Sequence, residues 1–354
     1  MRWARSSAIV LIACGVLFLI SCGEGASYNA PETQVGTQPG AGVLSSYQLA
    51  GNVAPVHDPS LIRQGNTYYS FTTDAPGTLG LPIRCSTDTI NWTLCGQIFS
   101  AMPVWVAAKI PGNPNFWAPD VSYFDGLYHV YYAVSVFGQQ ISVIGLVTNT
   151  TLNMADPAYK WVDQGEVMES HPGDSFNAID PNILLDADGS VWMSYGSYWD
   201  GIFQRQIDLH TGKLLASNPE NYHLAQRTNV SGDPIEGSSQ IRHGSYYYLF
   251  VSIDYCCQPS LSQDNYKIAV GRGTGPHGPF LDESGIDMQQ GGITVLLEGN
   301  SLWGAPGGQT AYHDPVSSND VIVFHALNLQ QNGLDYLWVN QLAWVNDWPV
   351  IQPN

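Results

Sequence analysis

The sequence predicts an all-β chain folded as a five-bladed β-propeller, on three observations. The first is a hairpin signature in residues 176–201, FNAIDPNILLDADGSVWMSYGSYWDG. There an acid, Asp180, precedes the apolar run 183–185, an Asp188-Gly189 turn and an aromatic-rich second strand at 191–195. Asp-Gly between apolar segments is a strong local hairpin signal, because both turn positions accept positive φ. The second observation is repetition, and the third is composition. Aromatic residues make up 12% and glycine 36 residues; with no long helical apolar periodicity outside the N-terminus, this fits many short strands joined by tight turns and little helix.

The repeat runs through the chain. Asp58 opens DPSLIRQGNTYYSFTT with a turn at Gly65 and Asn66, and Asp120 opens DVSYFDGLYHVYYAVS with Asp125 and Gly126. Glu236 opens EGSSQIRHGSYYYLFVSI with His243 and Gly244, and a weaker fifth copy, GGQTAYHDPVSSNDVIVFHAL, has Gln309 in the acid's place. Starts at 58, 120, 180, 236 and 309 give spacings of 62, 60, 56 and 73, longer than common four-stranded blade modules. In a propeller each blade's innermost strand begins at the central channel. If the units are equivalent, Asp58, Asp120, Asp180, Glu236 and Gln309 face one axial space, with four carboxylates crowded around one funnel.

Charge narrows the partners. Lys and Arg total 12 against 30 Asp and Glu, a formal charge of −18. No basic groove can be assembled for nucleic acid, and an acidic polymer is disfavoured; a neutral polymer suits such a surface.

The first residues read as a targeting segment. Arg2 and Arg5 precede an apolar run from Ala8 to Ile20, short for a transmembrane helix and suited to a secretory signal. The run ends in Leu19-Ile20-Ser21-Cys22, which resembles a bacterial lipobox with lipidation at Cys22; an ordinary signal peptide is the alternative. The expected organisation is a signal over 1–22, a Gly-, Pro-, Ser- and Thr-rich flexible tether over 23–46 and one propeller domain over 47–354, exported, lipid-anchored or secreted, and acting as a monomer. Of the remaining cysteines, Cys85 and Cys95 flank a short hairpin segment and are expected to staple it in an oxidising compartment. Adjacent Cys256 and Cys257 permit a vicinal disulfide or two thiols.

The acids sit in suggestive surroundings. Pro59 follows Asp58 and Pro181 follows Asp180, fixing the backbone where a strand begins; a lone Asp-Pro is usually a turn, and it is recurrence that singles these out. Trp117 and Phe137 flank Asp120 and can offer flat faces to sugar rings, or pack as core aromatics between blades. Asn177, Ser197, Tyr198 and Trp199 lie around Asp180, with Asn177 and Ser197 suited to hydroxyl recognition or to capping a turn. His313 and His325 are each more often structural than catalytic on a strand.

Clustered carboxylates raise one another's pKa. Glycoside hydrolysis exploits this: one carboxylic acid protonates the leaving oxygen while another, ionised, activates water, and a third can hold up the donor's pKa.

The motifs VHDPS (56–60), FWAPDV (116–121), FNAIDPNI (176–183), GSYWDGI (196–202), PIEGS (234–238), DYCC (254–257) and YKIAVGR (266–272) closely resemble the endo-arabinanases of glycoside hydrolase family 43, from about residue 56 to the C-terminus. The resemblance implies a five-bladed propeller and inverting cleavage of α-1,5-linked L-arabinofuranose chains such as plant cell-wall arabinan. By motif, Asp58 looks like the general base, Glu236 the general acid and Asp180 the residue that raises the acid's pKa and positions it. Substrate-binding positions implied or read from the acids' surroundings are Asp58, Trp117, Asp120, Phe137, Gly138, Asn177, Ala178, Ile179, Asp180, Ser197, Tyr198 and Trp199. Relatives of this type often carry Gly-Pro-Gly-His-Asn, whose His helps hold Ca2+; here Ala305-Pro306-Gly307-Gly308-Gln309 puts Gln309 in that place. A Gln oxygen is acceptable to calcium but uncharged, which leaves open calcium, another cation or none. The alternatives in function are an exo-acting α-L-arabinofuranosidase or β-xylosidase of the same family and a non-catalytic sugar-binding propeller.

Overall fold

The computed structural model describes residues 40–74, 80–112, 114–258 and 260–353. The signal segment, the lipobox and the tether up to residue 39 lie outside the described residues.

Five antiparallel sheets follow one another along the chain. The first runs through Ser60–Gln64, Thr67–Phe71, Pro82–Ser86 and Asn91–Gln97, with Ala50–Gly51 added in parallel at its outer edge. The second holds Asn115–Phe124, Leu127–Ser135, Ser142–Asn149 and Val162–Ser170, and the third Asn182–Leu185, Val191–Tyr195, Ile202–Ile207 and Tyr222–Ala225. The fourth holds Ile235–His243, Tyr246–Ile253, Lys267–Gly273 and Thr294–Leu297, and the fifth Trp303–His313, Asp320–Asn328, Leu334–Val345 and Trp348–Ile351. The first strands of neighbouring sheets touch in the order one to five and back to one. The sheets are therefore the blades of a closed five-bladed propeller, and among the described residues α-helix is confined to Gly40–Val43 and Val104–Lys109.

The innermost hairpins form where the turn chemistry places them, with two adjustments. Asp125 and Gly126 both adopt positive φ, 48° and 76°, and close a two-residue turn. Asp188 and Gly189 instead belong to a five-residue loop between Leu185 and Val191, and the fourth turn is Gly244-Ser245, because His243 pairs with Tyr246.

Each blade uses only consecutive strands, so the ring is closed by packing rather than by strand exchange. Leu49, Val53 and Val56 fill the seam between Leu61 and Trp92 of blade one and Val323, Leu337 and Val339 of blade five. Backbone bonds Val56 N–H to Asp335 O (3.1 Å) and Leu337 N–H to Val53 O (2.8 Å) fix the seam. The ordered unit begins earlier than residue 47: Val43 and Leu44 are buried among Leu297, Trp303, Trp338 and Ile351. Burial is worth about 1.5–3 kcal/mol for such side chains, so the end of the expected tether is part of the domain. In blade one Cys85 and Cys95 form the expected disulfide, with a Cα–Cα distance of 5.9 Å.

Candidate active site

In or just before each first strand lies a left-handed residue, Asp58 (φ 46°), Ala118 (39°), Asp180 (55°), Gly237 (57°) and Gly308 (56°), the fifth strand having a second at Ala305 (43°). Two residues later the regular ladder runs, at Ser60, Asp120, Asn182, Ser239 and Thr310. This corrects the register of the sequence repeat. Asp58 and Asp180 are equivalent, but Asp120 matches Ser60 and Asn182, Glu236 comes one residue before its left-handed partner and Gln309 one after.

The correction removes Asp120 from the channel. Asp120 is buried in the wall, accepting hydrogen bonds from Asn182 Nδ2 (2.8 Å) and Ile183 N–H (3.0 Å), and does not line the central cavity. It stitches blade two to blade three, just as Asn182 Oδ1 accepts from Gln240 N–H (2.8 Å) between blades three and four. Ala178 is also wholly buried, in the core beneath Tyr195.

Of the four repeat acids, Asp58, Asp180 and Glu236 remain on a cavity of about 1140 Å3, which Asp74, Asp200, Asp233 and Asp335 also line. Trp117, Phe137, Gly138, Asn177, Ile179, Ser197, Tyr198 and Trp199 line it too. Phe137 and Trp199 are 65% and 38% exposed, so their ring faces are open rather than core-packed. Asn177 Oδ1 is held by Ser142 Oγ (2.7 Å).

The acids have unlike environments. Asp58 Oδ2 lies 2.9 Å from His57 Nδ1 and accepts from Thr73 Oγ1 at 2.7 Å. His57 stacks on His325 with centroids 3.8 Å apart, and His325 Nδ1 accepts the Asp58 backbone N–H at 3.2 Å. Burial and the neighbouring His57 hold His325 well below the usual histidine pKa, so it is neutral and its 3.8 Å approach to Asp58 Oδ1 is not an ion pair. Burial opposes charge on both His57 and Asp58, but their mutual attraction and hydrogen bond win: His57 is raised to about 10 and Asp58 lowered to about 2. A Cβ at Gly308 would overlap the Asp58 carboxylate and press on His325, which explains a glycine at this close approach.

Glu236 is set the other way. Burial and the Asp58 charge push its carboxyl up, against hydrogen bonds from Ser197 Oγ and the Tyr266 phenol, each 2.6 Å. Asp180, which accepts Gly237 N–H at 3.0 Å, is driven well above the ordinary aspartate range by burial and by repulsion from Glu236 and Asp58. Asp58 is thus held towards its ionised form while Glu236 is pushed towards its protonated form, the division of labour of acid-base catalysis.

Sequence reasoning passed over His57, Thr73 and Tyr266. His57 sits beside Asp58 in VHDPS, so adjacency was an available signal; Thr73 ends the first repeat and Tyr266 opens YKIAVGR, but neither is near its partner acid in sequence, so nothing local pointed to the pairing. Ser197 is a partner of Glu236 rather than a free hydroxyl. Gln309 Oε1 accepts from Ser252 Oγ (2.7 Å) and Nε2 donates to Gly237 O (2.6 Å). Calcium takes six to eight oxygens; an amide committed at both ends does not supply such a cage, and no step below is routed through an ion.

The comparisons agree with this geometry. The model for Glycosyl hydrolases family 43 matches residues 53–349. The chain is 39% identical over 295 residues, 83% of its length and 87% of the relative's, to Extracellular endo-alpha-(1->5)-L-arabinanase 1 of Bacillus subtilis (strain 168). It is 38% identical over 321 residues, 87% and 90% of the two lengths, to Extracellular exo-alpha-(1->5)-L-arabinofuranosidase ArbA of Cellvibrio japonicus (strain Ueda107). The solved structure of Cellvibrio cellulosa alpha-L-arabinanase complexed with arabinohexaose superposes with a TM-score of 0.78 at 36% identity, covering 85% of this chain and 96% of that one. With its propeller, its three channel acids and a match across most of its length, the chain belongs to the glycosyl hydrolases family 43.

Proposed function

We propose that this enzyme cleaves internal α-1,5-L-arabinofuranosidic linkages of arabinan with inversion. The observation that carries the reading is that Asp58 and Glu236 line one cavity in environments that push their carboxyls in opposite directions, Asp58 towards charge and Glu236 away from it. Asp58, ionised, takes a proton from a water that attacks the anomeric carbon. Glu236, protonated, gives its proton to the departing glycosidic oxygen. Both then return to their starting states by exchange with solvent. Inverting enzymes hold the two carboxyl groups roughly 6.5–9.5 Å apart to admit that water. Asp180 disfavours charge on Glu236 and, through the Gly237 N–H, is fixed to the residue that follows it. A calcium ion belongs to this reading only as a largely water-held charge beside Gln309.

Several features support a polymeric substrate. The cavity exceeds the roughly 300–1,000 Å3 usual for small ligands, and the exposed faces of Phe137 and Trp199 suit the C–H faces of sugars. One similar structure is described with arabinohexaose. Export, with or without a lipid at Cys22, accords with relatives named extracellular, and one chain supplies the whole site, consistent with a monomer. The second reading, exo cleavage, is favoured by the similarity to the Cellvibrio exo-acting relative.

The test is the time course of products from linear α-1,5-arabinan, with Asp58→Ala alongside. A rapid fall in viscosity with mixed oligosaccharides, absent from the variant, is expected. Arabinose or a single short product from the outset points to exo cleavage; no release from arabinan overturns the proposal.

A further inference from the structure

Cys256 and Cys257 line the wall of the same cavity, between the acid and the base. Cys256 Sγ lies 4.0 Å from Glu236 Oε1, and Cys257 Sγ lies 3.5 Å from His57 Nε2. The two residues are joined as a vicinal disulfide, with left-handed backbone at Cys257 (φ 63°). While joined, neither sulfur is a thiolate and neither can serve as an anionic metal ligand.

Three features make the same atoms a metal site once the bond is opened. A ring nitrogen of His57 and both Sγ atoms lie within 4.8 Å of one another. A tetrahedral ion with bonds of about 2.3 Å to sulfur and 2.0–2.1 Å to nitrogen needs its ligand atoms roughly 3.5–3.8 Å apart, which the Cys257–His57 distance already meets. Finally, His57 Nδ1 faces Asp58 Oδ2 at 2.9 Å. That is the carboxylate-histidine arrangement that orients an imidazole and raises its basicity toward a metal. Two sulfurs and one nitrogen select a soft or borderline ion such as Zn2+ or Cd2+ over Ca2+ or Mg2+.

We propose that Cys256 and Cys257, as thiols, form with His57 a three-ligand site for a soft divalent cation that shuts off the enzyme, and that their disulfide keeps this site closed. The opening step is thiol-disulfide exchange with a dithiol reductant: the dithiol becomes a cyclic disulfide, and its two hydrogens end on Cys256 and Cys257. Metal binding then releases both thiol protons and the Nε2 proton of His57 to solvent. The fourth coordination position opens into the cavity beside Glu236. A bound ion ties down the partner of the base and occupies space next to the acid, so inhibition follows.

The experiment uses the full chain, either oxidised or reduced with a dithiol and desalted without air, titrated with Cd2+. Binding is read from the ultraviolet charge-transfer band of cadmium thiolate, independently of any substrate, so its failure is distinct from failure of the arabinan reading. One Cd2+ per reduced chain, none per oxidised chain, and a parallel loss of activity reversed by a chelator are expected. Cys85→Ser/Cys95→Ser, which removes the other disulfide, should keep the band. Cys256→Ala/Cys257→Ala should lose it while melting as a folded protein. His57→Gln should weaken binding about 10- to 100-fold. A reduced chain that binds no cadmium stoichiometrically, or a band that survives Cys256→Ala/Cys257→Ala, overturns the proposal.

Discussion

The Tyr266 phenol donates a 2.6 Å hydrogen bond to Glu236 Oε1, the oxygen that also faces Cys256 Sγ. Tyr266 begins the segment leading into the third strand of blade four, while Glu236 lies on the first, so the bond ties the carboxyl to the blade's own scaffold. Because the donor favours the charged carboxylate, it tempers the upward push of burial. Tyr266→Phe should move the alkaline limb of the pH–rate profile upward, since Glu236 then holds its proton to higher pH. The looser carboxyl should also lower kcat about tenfold. An unmoved limb in arabinan assays from pH 4 to 10 would contradict the role.

The profile itself should be a bell with unequal sides. Asp58 acts as base only when ionised, so rate falls as pH drops towards about 2; Glu236 acts as acid only when protonated, so rate falls as pH rises past its elevated value. Asp58 also lends stability that is present above the ordinary aspartate range and lost as pH falls through about 2. Replacing Asp180 by Asn keeps an acceptor for Gly237 N–H but removes the carboxyl whose ionisation is coupled to that of Glu236. The alkaline limb should then move down, by about one pH unit. Stopped assays of kcat/KM across pH, with a melt at each point, check both limbs.

Asp120 should behave as a structural residue. Asp120→Ala leaves Ile183 N–H and the Asn182 amide without their buried acceptor. The expected cost is about 2–3 kcal/mol, seen as a fall of several degrees in Tm. KM for arabinan should stay within twofold of wild type; a large rise in KM with Tm unchanged would return Asp120 to the substrate site.

Much of the site was legible because its acids announce themselves locally. Asp58 and Asp180 each precede a proline and a strand, and Glu236 precedes a glycine that adopts the left-handed conformation. The misreading of Asp120 has an equally local origin. Its repeat unit was aligned on the acid, whereas the backbone aligns on Ala118, two residues earlier, and an apolar residue at that position carries no sign of its left-handed φ of 39°. Gln309 was displaced by one residue for the same reason, since the positive φ belongs to Gly308.

The sequence by itself determined the strand-turn-strand units and their fivefold recurrence, because hairpin chemistry and motif spacing are encoded within a few dozen residues. Tertiary structure decided which carboxylates reach the channel and in what state. Asp120, two residues beyond the left-handed position, is drawn into the wall, while Asp58 and Asp180 at that position and Glu236 beside it reach the cavity, and the tuning of Asp58 and Glu236 depends on groups brought from elsewhere. His325 meets Asp58 across 267 residues and Tyr266 meets Glu236 across 30. Only closing the ring of blades buries these groups together, and burial is what makes their charges strong enough to set one carboxyl against the other.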